Sequence, residues 1–104
     1  MPSANRGEVW LCDLGMVAKI RPCLVLSVAP GPTDRALLAL VPHTTSVRGT
    51  RFEVIVPKPF LESGAFDAQG LMTVVPPKLI RKLGELHSDE LLLVESNVNK
   101  WLGL

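Results

Sequence analysis

Arg21-Pro22 opens one apolar run, Cys23-Leu24-Val25-Leu26-Ser27-Val28, and Pro42-His43-Thr44-Thr45 closes another, Ala36-Leu37-Leu38-Ala39-Leu40-Val41. An arginine at the start of one buried strand and two hydroxyls past the end of a second do little for packing. Polar tips held by a rigid sheet are where binding and catalytic groups sit. The side-chain types also complement one another. A guanidinium stays charged and can grip two oxygens of a phosphate at once. A threonine hydroxyl adds a neutral hydrogen bond, and an imidazole exchanges a proton near neutral pH. Each has a structural reading beside the chemical one: Arg21 as an edge cation pairing with Asp13, Thr44 and Thr45 as turn formers, His43 as a half-exposed packing residue.

The elements that must hold these tips can be read from patterning. A strand is expected at about Glu8 to Asp13, after a glycine turn, and a second at about Pro22 to Val28. Pro30-Gly31-Pro32-Thr33-Asp34 has turn composition. A third strand, Arg35 to Pro42, is a continuous apolar run, which implies cover on both faces. The loop from Thr44 to Thr50 is rich in Ser, Thr, Arg and Gly. Phe52-Glu53-Val54-Ile55-Val56 reads as a strand, and Phe66 to Val75 as another, with Gly70 marking a bulge. Pro76-Pro77-Lys78 predicts a helical turn, and a short strand follows around Leu83 to Leu86. Ser88 is the expected N-cap of one helix, with Asp89 and Glu90 favourably placed near its positive end. Leu91, Val94, Val98 and Trp101 recur on one face, broadened by Leu92, Leu93 and Leu102. Five or six strands and a terminal helix make a small curved sheet or barrel with the helix packed on it.

The 104 residues suffice for one domain with one core, spanning 1–104. Prolines 22, 30, 42 and 57 interrupt every apolar run before the roughly 18 residues a membrane span needs. No apolar secretion signal follows Met1, so a cytoplasmic location is expected. Cys12 and Cys23 fall in consecutive strands and are read as small buried thiols rather than a disulfide. No C-x-x-C or H-x-x-x-H spacing occurs, and no metal or cofactor is expected. Residues 1–52 carry six Lys/Arg against three acids, whereas residues 53–104 carry five against seven. The stretch His43 to Phe52 holds Arg48 and Arg51 and no acid, which suits a local phosphate patch or simply a solvated loop.

Together with Arg6-Gly7-Glu8-Val9-Trp10, these segments resemble the MazF/PemK family of toxin ribonucleases from bacterial toxin–antitoxin pairs. In that family the arginine of the strand-opening R-P and the first threonine of P-x-T-T belong to the active site; here they match Arg21 and Thr44. Asp67-Ala68-Gln69 is similar to an acid-plus-glutamine motif in which the glutamine, here Gln69, helps form the RNA surface. Lys78 to Leu86 looks like the family's segment before its final helix, so the likeness runs from Arg6 to about Trp101. The resemblance implies an SH3-like barrel of the CcdB/Kid/MazF toxin type and a homodimer. It also implies metal-independent cleavage of single-stranded RNA to 2′,3′-cyclic phosphate and 5′-hydroxyl ends, causing growth arrest. The implied partners are RNA, a cognate antitoxin, and DNA only through the antitoxin complex. Lys19, Thr45, Arg48 and Gln69 are the expected RNA contacts.

Such a reaction needs a proton acceptor, a proton donor and a cation for the phosphorane. Two departures from the family pattern leave the acceptor unnamed. The connection Leu14-Gly15-Met16-Val17-Ala18-Lys19-Ile20 is short, and Ala68 stands where many members have an aspartate. In a strand, Asp67 one position earlier would face the opposite side. His43, Asp67 through a local bulge, and Arg21 remain the alternatives. The rival readings are a CcdB-like toxin that poisons gyrase by contact, and a relative that binds RNA or antitoxin without cutting.

Overall fold

In the computed structural model, residues 3–15 and 19–104 are described; Met16, Val17 and Ala18 of the short connection lie outside them. Among the described residues seven strands and one α-helix follow in chain order: β1 Glu8–Asp13, β2 Ile20–Val25, β3 Leu38–Thr44, β4 Glu53–Val54, β5 Ala65–Asp67, β6 Met72–Val74, β7 Leu79–Glu85 and α1 Ser88–Leu102. All pairings are antiparallel, in the order β4-β5-β3-β2-β1-β7, with β6 pairing the other end of β3. The sheet is strongly divided rather than closed. β3 is shared: its Leu38–Leu40 half pairs β6, and its His43–Thr44 end pairs β5. The expected mainly-β architecture with a C-terminal helix therefore stands, but as an open sheet.

The apolar run of β3 does have cover on both faces, because alternate residues of a strand point to opposite sides. Val9, Leu24 and Val41 enter one core with Phe52, Phe66, Leu86 and, from α1, Val94 and Val98. Trp10, Cys23, Val25 and Leu40 enter a second core with Cys12, Leu38 and Leu79. Cys12 and Cys23 are buried free thiols that donate to the carbonyls of Trp10 (3.4 Å) and Arg21 (3.7 Å), and the neighbouring Cys12 thiol, then burial, push the Cys23 thiol up. Among the described residues no helix is long and apolar enough to cross a membrane.

Several expected boundaries are corrected. β2 begins two residues earlier and stops at Val25; Leu26 to Val28 leave the sheet after the bond from Leu26 N–H to Ala39 O (2.9 Å). Arg35 to Leu37 lie outside β3, which instead runs on through His43 and Thr44. The Phe66 to Val75 run is not one bulged strand. It breaks at Asp67, whose carboxylate accepts the Gln69 N–H (3.1 Å) and caps a 3₁₀ turn over Ala68–Gly70. Gly70 is needed there because a Cβ would stand 2.7 Å from Pro42 Cγ. β7 starts at Leu79 rather than Leu83. The N-cap of α1 is His87, not Ser88, since the His87 N–H is taken by Glu90 Oε1 (2.8 Å) in a reciprocal capping box. On α1, Val94 and Val98 are buried and Leu91 packs on the core. Trp101 instead leans edge-on against Phe52 (5.3 Å between ring centroids), and Leu92 and Leu93 are 61% and 57% exposed.

Candidate functional site

Arg21 and Thr44 stand on adjacent strands of one sheet, Arg21 opposite Cys12 at the β1–β2 end and Thr44 as the last residue of β3. Pro22 holds Arg21 extended. Lys19, at φ 58°, reverses the chain just before β2, accepting from Leu14 N–H (2.9 Å) and donating to Gly15 O (2.6 Å). Two clefts meet at this sheet end. The first, about 460 Å³, is lined by Lys19, Arg21, His43, Thr44, Thr45 and Ser46, with Phe60, Glu62 and Arg81 among its other walls. The second, about 450 Å³, is lined by Arg21, Thr44, Ser46, Arg48, Thr50, Glu53, Asp67 and Gln69. Arg21, Thr44 and Ser46 are common to both and form the ridge between them.

All eight residues singled out in the sequence line one cleft or the other. Strand alternation does not set the face of Asp67, because the backbone leaves the strand at that residue. The 3₁₀ turn brings Asp67 and Gln69 to the same cleft. Residues that sequence reasoning missed are Ser46, Thr50, Glu53, Phe60, Glu62 and Arg81. Arg81 and Phe60 carry no local signal. They reach the site from β7 and from the β4–β5 segment, which only the three-dimensional pairing brings close.

The polar groups are held by a dense local network. Thr44 Oγ1 accepts from Ser46 N–H (3.0 Å), which leaves the hydroxyl hydrogen free to donate outward. Glu53 clasps the basic loop, accepting from Arg48 N–H (2.9 Å) and Thr50 N–H (2.6 Å). Those backbone donors, Arg48 first, hold its carboxyl below the usual range. The clasp is therefore complete above the ordinary carboxylate range and is lost as the pH falls through the lowered value. His43 is only 4% exposed and meets Phe66 edge-on, with ring centroids 5.1 Å apart. Burial pushes its imidazole below the usual range, against an opposing pull from the Glu62 charge, so the ring is neutral at pH 7. Among the described residues no three His, Cys, Asp or Glu side chains cluster as a metal site.

Gly64 sets the site's close packing. A Cβ there would lie 2.1 Å from the Thr44 carbonyl oxygen and 2.7 Å from His43 Cε1. Backbone cannot retreat as a side-chain tip can. Gly64→Ala is expected to cost about 2–3 kcal/mol, or roughly 10–20 °C in Tm. A thermal unfolding midpoint equal to the parent's would overturn this.

The chain matches over residues 5–102 the family model of the PemK-like, MazF-like toxin of type II toxin–antitoxin systems. The chain belongs to the PemK/MazF toxin family. The solved structures it resembles agree. MazF of Deinococcus radiodurans is 26% identical with a TM-score of 0.82 over 100% of both chains. An endoribonuclease of a mycobacterial species, solved with its cognate antitoxin, is 25% identical with a TM-score of 0.78, over 100% of this chain and 97% of that one. Mycobacterium tuberculosis toxin MazF-mt6, at 22% identity and TM-score 0.77 over 93% and 97% of the two chains, shares the fold. No curated protein sequence matches the chain. In this PemK/MazF toxin, Arg21 and Thr44 both come to the ridge between the clefts.

Proposed function

We propose that this PemK/MazF toxin is an endoribonuclease that cuts single-stranded RNA without a metal, leaving 2′,3′-cyclic phosphate and 5′-hydroxyl ends. The observation that carries the reading is the ridge: a cation and a hydroxyl donor shared by two clefts, with His43 lining only the first and Asp67 only the second. In-line displacement at phosphorus puts the attacking and leaving oxygens on opposite sides, and a phosphate seated on the ridge would send one nucleotide into each cleft. The substrate's own 2′-oxygen forms the new bond to phosphorus as the bond to the 5′-oxygen breaks. One proton leaves the 2′-hydroxyl and one is delivered to the 5′-oxygen. Arg21 and the Thr44 hydroxyl are placed to meet the charge that grows on the equatorial oxygens, which is where fixed donors accelerate most. Lys19, Thr45, Arg48 and Gln69 line the paths on either side and suit contacts to the flanking nucleotides.

The test is incubation of the purified protein with labelled single-stranded RNA in excess EDTA. Cleavage with cyclic-phosphate ends is the expected result. Cleavage lost in EDTA and restored by one added divalent ion would overturn the metal-free mechanism.

The same reading includes a homodimer and an antitoxin whose extended segment covers the site. Leu92, Leu93 and Leu102 stand out from α1, and Ile55 is exposed beyond β4, as apolar surface suited to a second subunit. Light scattering at micromolar concentration is expected to give twice the 11.3 kDa chain mass. A monomer mass would overturn the dimer.

A further inference from the structure

The first cleft is lined in part by a phenylalanine ring that also packs on the core. Phe60 lies on the segment joining β4 to β5, half-buried against the first core, and its remaining surface lines the cleft beside Arg21 and His43. One edge of the ring occupies the place of a missing side chain. A Cβ on Gly84 would stand 2.4 Å from Phe60 Cε2, 2.7 Å from Cδ2 and 2.8 Å from Cζ. Gly84 sits inside β7, opposite Val9, where glycine ordinarily weakens a strand. Here the glycine makes the notch that the ring fills.

The segment bearing Phe60 is fixed at both ends. Lys58 Nζ is 2.6 Å from Glu90 Oε1 on α1, and Leu61 N–H donates to Lys58 O (3.0 Å). Four residues on, Gly64 rests against the Thr44 carbonyl. The ring is thus positioned before any ligand arrives, which removes an ordering cost from binding. Around it, Leu11, Ile20 and Leu83 give an apolar wall, and Ile20 is largely exposed. Lys19, Arg21 and Arg81 line the same cleft, with Glu62 as the carboxylate among its lining residues. A flat apolar surface rimmed by cations fits a ligand with a flat apolar face and anionic links.

We infer that Phe60, wedged into the Gly84 notch, is a stacking platform that seats one unpaired base of the RNA next to the Arg21–Thr44 ridge. The inference rests on the RNA reading of the site and goes beyond it in naming a substrate-positioning residue and the reason for a single strand. A base in a duplex has both faces covered, whereas an unpaired base can offer one to an aromatic ring. Stacking of this kind tolerates any base, so Phe60 contributes affinity and placement, while sequence choice falls to polar groups elsewhere in the clefts.

The experiment uses the intact protein and all-deoxy heptanucleotides of random flanking sequence with 2-aminopurine at the centre, which a 2′-hydroxyl mechanism cannot cut. Binding is expected to quench the 2-aminopurine fluorescence in the parent protein. Phe60→Leu, which keeps apolar bulk without a ring, is expected to abolish the quench and weaken binding roughly five- to a hundredfold. Phe60→Trp should retain both. In cleavage assays on RNA, Phe60→Leu should raise KM far more than it lowers kcat. Binding without a quench in the parent protein, or an equal quench in a folded Phe60→Leu, overturns the platform; the first of these needs no variant to fold. Quenching that depends on Phe60 in a protein that cuts no RNA leaves the platform standing and removes the nuclease reading. Failure of the parent protein to bind the pool overturns the platform, while the nuclease reading is decided separately by RNA cleavage in EDTA.

Discussion

Replacing Arg21 with alanine is expected to lower RNA cleavage roughly a thousandfold and to abolish toxicity while the protein still folds. Arg21 lies at the start of β2 on the ridge between the clefts, half-buried, and it belongs to neither core. Its truncation therefore empties no packed volume. On the proposed mechanism the variant loses the cation that meets the phosphorane, and one fixed donor of this kind is worth about 3–4 kcal/mol of barrier. Arg21→Lys should recover little, because an ammonium is a point charge and cannot grip two equatorial oxygens together. Thr44→Ala acts in the same direction but less, since it removes one neutral hydrogen bond. It also releases the Ser46 N–H that Thr44 Oγ1 accepts, so some of its effect will come from a looser loop. Circular dichroism and thermal unfolding separate these cases from misfolding. A folded Arg21→Ala protein that cuts RNA at the parental rate would place the reacting phosphate elsewhere.

How much of this was legible beforehand follows from the range of the forces involved. Strand β1 and helix α1 were readable because alternation and the three- and four-residue spacing are local signals of burial. Arg21 and Thr44 were readable because each lies within two residues of a proline in a short motif, and the order of those motifs resembled one family. The turn at Ala68–Gly70 was not. Gln69 and Gly70 follow an apolar stretch that fits a strand, and the Asp67 cap competes with the ladder only once Phe52 O has claimed the Ala68 N–H (3.0 Å). The displaced boundaries of β3 have a similar origin: Thr44 stays in the sheet because Ala65 pairs with it from twenty-one residues away. Phe60 and Gly84 were invisible for the same reason, since each makes sense only in contact with the other. The division of the site into two clefts around one ridge is likewise a property of pairing, not of any segment.

Replacing His43 with glutamine is expected to lower cleavage roughly a hundred- to ten-thousandfold and to flatten the acid limb of the pH profile. Asp67→Asn should cost far less. Both groups flank the ridge, and two observations favour the imidazole as proton acceptor. The Asp67 carboxylate already accepts the Gln69 N–H through Oδ1, so that oxygen is engaged in capping the 3₁₀ turn. An imidazole also exchanges its proton near neutral pH, where a catalytic base works best. His43 is neutral at pH 7 because burial disfavours its charged form, so it can take a proton from the 2′-hydroxyl directly or through one water. The sign of the pH effect follows. Only neutral imidazole accepts, so activity should be full above the ordinary histidine range and fall as the pH drops through a value below 6.5. Stability moves the same way, since the folded state resists a proton that the unfolded chain takes up. Rates must therefore be read with the folded fraction measured at each pH. Asparagine at position 67 keeps the oxygen that caps the 3₁₀ turn and removes only the charge, which makes it the clean counterpart. If His43→Gln stays folded and active with its acid limb intact while Asp67→Asn is inactive, the acceptor is Asp67 and the 2′-hydroxyl enters from the second cleft.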